Sequence, residues 1–136
     1  MKALVIGCGR VGSSVARALD GDGWDVTAVD ESEEALGRLG DNWEGGFVVG
    51  HGMDLEVLLH AGIEGADAVV VSTSGDNTNL VVGQLATKRF EIPTVVLRIL
   101  DPARATLYSG LGLLIVCPTQ TAISELIDVV RATSTP

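Results

Sequence analysis

Aromatic residues are nearly missing. They make up 4% of the 136 residues, against 46% for all hydrophobic types. A core of this composition is packed from Val, Leu, Ile and Ala, which suits strands buried on both faces. The two cysteines, Cys8 and Cys117, form no CxxC pair, so no metal-ligand spacing is present. Both are expected as reduced thiols in a cytoplasmic protein. Cations are scarce as well: nine Lys and Arg stand against eighteen Asp and Glu, a formal net charge of −9. That field repels a phosphate backbone, so no nucleic acid partner is expected. A small phosphate ligand held by backbone N–H groups remains compatible with it. No apolar run reaches the roughly 18 residues that a membrane-spanning helix needs. The N-terminus has one lysine and then an apolar run, not the layout of a signal peptide. A role at a membrane is therefore expected through a partner, with no direct membrane insertion.

What is present alternates. Apolar β-rich runs occur at Ala3–Ile6, Val26–Val29, Phe47–Val49, Ala68–Val71, Thr94–Ile99 and Leu113–Val116. Between them the apolar spacing is helical, at 11–19, 31–39, 54–60 and 77–90. A further helix opens at Asp101-Pro102, an N-cap followed by proline at the first helical position. A last amphipathic helix is expected over 119–131, then a polar tail, 132–136. Six strand–helix alternations without a composition break predict a single domain, residues 1–131. The class is α/β: a Rossmann-like, doubly wound, six-stranded parallel sheet with helices on both faces. The favoured strand order is 3-2-1-4-5-6.

The first strand runs into Gly7-Cys8-Gly9-Arg10-Val11-Gly12, three glycines at spacings of two and three. A helix N-terminus carries free N–H groups and a partial positive charge, so a pyrophosphate can sit there if the backbone comes close. Gly7 makes the turn, Gly9 leaves room for phosphates and Gly12 lets the helix approach the sheet. Gly9→Val or Gly12→Val is expected to abolish nucleotide binding while leaving the domain folded. Asp30 ends the second strand eighteen residues beyond Gly12. A carboxylate there accepts hydrogen bonds from ribose hydroxyls and repels a 2′-phosphate, favouring NAD or an adenosine nucleotide over NADP. Arg10 has two readings, phosphate contact or solvated surface. Thr73 and Ser74, after the fourth strand, are candidates for phosphate or ribose contact. Helix capping by Ser74 or Asp76 is the competing reading.

The successive pieces VIGCGRVGSSVARAL, VTAVDESEEAL, VVGHGMDLEVLLHAGIEGADAVVVSTSGDNTNL and VVLRILDP resemble one family over nearly the whole chain. It is the N-terminal domain of the RCK proteins (regulators of K⁺ conductance, also called KTN and TrkA-N-like) of Trk- and Ktr-type potassium-uptake regulators. The resemblance implies a cytoplasmic regulatory module, peripheral to the inner face of the plasma membrane. It implies that the cleft binds NAD or NADH, or ATP or ADP. It also implies a homodimer or ring-like homo-oligomer that pairs through the later helices and gates a membrane-embedded potassium transporter subunit. By the same resemblance Gly7, Cys8, Gly9, Arg10, Val11 and Gly12 form the phosphate loop and Asp30 the ribose ligand. Thr73, Ser74 and Asn79 belong to the loop after strand four. Arg98 faces the ligand or a neighbouring subunit. The family pattern has Asp and Thr where this chain has His51 and Met53, leaving two readings for His51: contact or stacking on the adenine edge, or a partly exposed loop histidine.

An enzyme is the weaker reading. After six strands nothing remains to build a substrate domain, and His51 and His60 are the only histidines. The alternative is an NAD-binding domain of an oxidoreductase or of a larger antiporter.

Overall fold

The computed structural model describes residues 1–134. Six strands form one sheet: β1 (Lys2–Ile6), β2 (Asp25–Asp30), β3 (Gly46–Val49), β4 (Ala68–Val71), β5 (Thr94–Arg98) and β6 (Leu114–Val116). Their order is β3-β2-β1-β4-β5-β6, and every neighbouring pair is parallel. This is the expected Rossmann-like order, with the chain reversing direction across the sheet between β1 and β4. Six helices connect or follow the strands: α1 (Arg10–Gly21), α2 (Ala35–Leu39), α3 (Leu55–His60), α4 (Asp76–Gln84), α5 (Pro102–Ser109) and α6 (Pro118–Thr133).

The side-chain alternation of the strands divides the core in two. Leu4 and Ile6 of β1 join Val69, Val71 and Leu97 in one layer with Leu58 of α3 and Leu80 and Val82 of α4. Ala3 and Val5 point the other way, to Ala16 of α1 and to Ala35 and Leu39 of α2. Burial of this aliphatic surface is worth about 25 cal/mol per Å².

Several element ends differ from the sequence pattern. The helix expected over 31–39 forms only from Ala35, because Asp30 Oδ1 accepts the Ser32 N–H at 2.9 Å and holds the chain in a turn. The helix expected over 77–90 is regular to Gln84 and then widens into a π-helical turn, Leu85–Arg89. Asp101 caps α5 as expected, accepting the Ala103 N–H, with Pro102 in the first turn. The last helix continues through Ala132 and Thr133, so only Ser134 of the expected tail lies beyond it, and residues 135–136 lie outside those described.

The sheet face on the α1 side loses its cover along its length. In register across it, Val5, Val70, Val96 and Leu114 form one row. Val5 is fully buried, whereas Leu114 is 56% exposed. α6 follows β6 but has no buried residue, although it carries Ile123, Leu126, Ile127, Val129 and Val130.

Candidate functional site

A cavity of about 400 Å³ opens at the carboxyl edge of the sheet, where β1 and β4 part. That is the crevice at which ligands bind in open α/β sheets. Its floor comes from the turn after β1. Gly7 has φ +89° there, a conformation that side chains resist, and a Cβ on it would lie 2.6 Å from the Ser72 and Thr73 backbone. Gly12 packs α1 onto this turn so closely that a Cβ would sit 1.7 Å from the Gly7 carbonyl oxygen. Gly9 is different, since a Cβ there would meet nothing within 4 Å. Gly9 is also the N-cap of α1, which has no side-chain cap and no acid in its first turn. The first turn of α1 is therefore not neutralised by its own side chains.

One wall follows β2. Asp30 Oδ2 accepts the Cys8 N–H at 2.7 Å while Oδ1 takes Ser32. This carboxylate thus shapes the glycine loop, and each oxygen keeps a second lone pair available as an acceptor. Cys8 is buried, and its thiol points at the Val5 and Val29 carbonyls, 3.7 and 3.8 Å away. Burial first, and the Asp30 carboxylate second, push its pKa up to about 12. It is an inert thiol and contributes its backbone, not its sulfur.

The opposite wall is the β4–α4 loop. Thr73 is held internally: its N–H and hydroxyl both donate to Asn79 Oδ1, at 3.0 and 2.5 Å. The Asn79 amide donates in turn to the Thr73 and Arg98 carbonyls. Arg98 Nη2 donates to the Thr73 carbonyl at 2.6 Å, while its Nε is buried without a partner among the described residues. At the mouth, His51 Nδ1 accepts the Met53 N–H at 3.1 Å. That fixes the Nε2–H tautomer, which donates to Glu31 at 3.0 Å.

Of the residues singled out in the sequence, Gly7, Cys8, Gly9, Asp30, His51, Thr73, Ser74 and Arg98 line the cavity. Arg10, Val11, Gly12 and Asn79 do not. Arg10 and Val11 start α1 on its exposed side, Gly12 lies beneath the turn, and Asn79 is a buried positioning residue. Asp76 does not cap its own helix either, because its carboxylate crosses to the Leu100 and Asp101 N–H groups at 2.8 and 3.0 Å. Sequence reasoning missed Ser32, Gly50, Gly52, Thr78 and Arg38 on the wall. The Gly50-His51-Gly52 run signalled two of these, since a Cβ on Gly52 would lie 2.7 Å from Ile6 Cγ2. Arg38 carried no signal: it sits eight residues past Asp30, outside any glycine or acidic pattern.

The family model of the TrkA-N domain matches residues 3–118. This chain belongs to the TrkA-N domain family. A Trk system potassium uptake protein TrkA of Streptomyces coelicolor is 41% identical over 113 residues, covering 83% of this chain and 51% of that protein. A protein of the same name from Vibrio alginolyticus is 37% identical over 102 residues, 75% of this chain and 22% of its own length. The TrkA-N domain described here thus spans about half or less of these relatives. Among solved structures, Shewanella denitrificans Kef CTD in an AMP-bound form superposes with a TM-score of 0.82 at 22% identity, over 99% of this chain and 83% of that one. GsuK bound to ADP gives a TM-score of 0.82 at 20% identity, over 98% of this chain and 34% of that one. These likenesses establish the fold.

Proposed function

We propose that this TrkA-N domain is a cytoplasmic regulatory module of a potassium-uptake system, which binds an adenosine nucleotide in the cavity at the β1–β4 switch point. One observation carries the reading. The space above Gly9 is open, and it faces an uncapped helix N-terminus inside a cavity that Asp30 lines. Backbone N–H groups there suit a phosphate, and Asp30 suits the ribose. Kef CTD bound to AMP and GsuK bound to ADP share this fold, which supports an adenine nucleotide, and NAD(H) fits the same residues. The potassium-uptake relatives support the setting.

The role is binding without turnover. Burial and the Asp30 carboxylate push the Cys8 pKa up to about 12, so the thiol is protonated at neutral pH. The cavity's histidine, His51, is engaged on both nitrogens. Neither is poised as a general base or nucleophile.

Self-association completes the reading. The uncovered end of the sheet face and the unburied α6 together present Leu114, Val116, Ile123, Leu126, Val129 and Val130. Apolar side chains left this exposed on β6 and α6 are ones that a partner would cover. The occupant is a second copy, in a dimer or a ring beneath a membrane-embedded potassium transporter subunit. Calorimetric titration with NAD, NADH, ATP, ADP and AMP, with each ligand assayed for conversion, tests the function. Binding of at least one without turnover is expected. Failure of all five at millimolar concentration, or conversion of any, refutes the reading. Sedimentation at micromolar concentration tests assembly, and a monomer there refutes it.

A further inference from the structure

The segment leading into α2 is acidic, with Glu31, Glu33 and Glu34 preceding Arg38. Glu34 and Arg38 stand at i and i+4, with the acid first, the favourable order for a helical ion pair. That pair does not form. Among the described residues the ion pair present is His51–Glu31, and Arg38 joins no carboxylate. Its Nη1 instead donates to the carbonyl of Cys8, 3.2 Å away, inside the phosphate loop. Arg38 also lines the cavity.

Cys8 is therefore gripped at both ends. Asp30 takes its N–H and Arg38 its C=O. Asp30, Arg38 and Gly9 line the same cavity, and the position above Gly9 is open. A guanidinium has five N–H donors and no acceptor, and the Cys8 carbonyl occupies one. In a chain of net charge −9, a cation that forgoes a helical partner and lies against a phosphate loop has donors left for an anion.

We propose that Arg38 is an anion-binding residue of the cavity, donating to a phosphate carried by an adenosine ligand on the Asp30 side. This rests on the nucleotide reading above and names a contact within it. A 5′-phosphate beside Arg38 would also meet the positive end of α1, so two like-signed fields would act on one group. The phosphate has two possible positions on the ribose, 5′ or 2′. Arg38 offsets the repulsion that Asp30 alone exerts at the second.

The test is calorimetric titration of the full chain with adenosine, 5′-AMP and adenosine 2′,5′-bisphosphate, at two salt concentrations. Arg38→Met keeps an unbranched side chain without the charge, and Arg38→Lys keeps the charge. Arg38→Met is expected to weaken phosphate ligands about tenfold or more, as loss of a charge-assisted hydrogen bond does. Adenosine affinity should hold, Arg38→Lys should recover most of the loss, and the salt dependence should flatten in Arg38→Met. A loss for both phosphates assigns the 5′ position, and a loss for the bisphosphate alone assigns the 2′ position. Equal weakening of adenosine and its phosphates would reduce Arg38 to a prop for Cys8 and overturn the proposal, as would unchanged phosphate affinity. A parent chain that binds none of these ligands would refute the nucleotide reading itself. A binding parent with an indifferent Arg38→Met refutes the Arg38 contact alone.

Discussion

The same small substitution made twice in one loop separates folding from binding. In Gly12→Ala the new methyl would sit 1.7 Å from the Gly7 carbonyl oxygen, and Cβ contacts under 3.0 Å are essentially never seen. The obstacle is backbone, so no side-chain rotamer relieves it. Helix α1 must retreat from the turn by at least about an ångström, which lifts Ala16 from the buried layer it shares with Val5 and Val26. Overpacking in a tight core costs about 1–3 kcal/mol, and a backbone obstacle belongs at the upper end. In Gly9→Ala the methyl meets nothing within 4 Å, and φ −73° is open to any residue. Reduced freedom of the unfolded chain stabilises by about 0.4–1 kcal/mol, and a poorer N-cap removes a similar amount. Gly9→Ala should therefore match the parent within about 0.5 kcal/mol, while its methyl occupies the phosphate path and weakens nucleotide binding about tenfold or more. Urea unfolding followed by circular dichroism reads the first effect and titration with ADP or NADH the second. On this geometry a side chain at Gly12 is expected to disturb the fold itself, whereas one at Gly9 is expected to act on binding alone. A Gly12→Ala protein with the parent's unfolding midpoint would refute the packing argument. A Gly9→Ala protein with the parent's affinity would remove the phosphate path.

Asp30→Asn leaves one of two backbone donors, Cys8 N–H or Ser32 N–H, facing an amide NH₂. It should destabilise the domain by about 1–3 kcal/mol and weaken NADH. Full parental stability by urea unfolding would contradict those hydrogen bonds. Cys8 should resist a thiol reagent at pH 8 while Cys117 reacts, and equal labelling rates would contradict its burial. Its pKa is raised from 9.0 to about 12, so the folded state keeps a proton that the unfolded state releases first. The resulting contribution to stability is complete below pH 9 and is lost as pH rises toward 12; Cys8→Ala should lessen that alkaline decline. Leu126→Glu together with Val130→Glu should shift sedimentation to the monomer without changing the helical content, since neither side chain is buried within the protomer.

The sheet was legible because each of its strands is a short apolar run, and Gly7, Asp30 and Gly50 fall where β1, β2 and β3 stop. Asp101-Pro102 gave the start of α5 for the same local reason. What escaped depends on contacts between distant residues. Nothing near Ser32 in sequence says that Asp30 will capture its N–H and delay α2. Asp76 looks like a helix cap, but the carboxylate spans 24 and 25 residues to reach Leu100 and Asp101. Asn79 reads as a ligand because it ends a polar motif, yet its amide is fully engaged by Thr73 and Arg98. Arg38 was invisible for a further reason: Glu34 stands four residues before it, so a local ion pair is the expected outcome, and only the folded chain brings it against Cys8.

Those long-range bonds join two parts of the molecule that the chain separates. The β4–α4 loop lines the cavity through Thr73 and Gly75. Asp76, next to it, binds the turn into α5 through two backbone N–H groups, and Asn79 binds the Arg98 carbonyl at 2.7 Å. Arg104 of α5 donates back to Asn77. The cavity loop and the start of α5 therefore move together or break these bonds. α5 leads through β6 to α6, where the apolar surface lies uncovered. Removing the Asp76 carboxylate should cost about 1–2 kcal/mol, because the freed N–H groups are near the surface and take water. Hydrogen exchange gives the sharper readout. In the parent, the Leu100 and Asp101 amides should be protected, and nucleotide should raise protection at 73–75 and 100–104 together. In Asp76→Ala the nucleotide should still protect 73–75 but leave 100–104 unchanged. Identical nucleotide responses at 100–104 in both proteins would show that the Asp76 bonds do not couple cavity and helix.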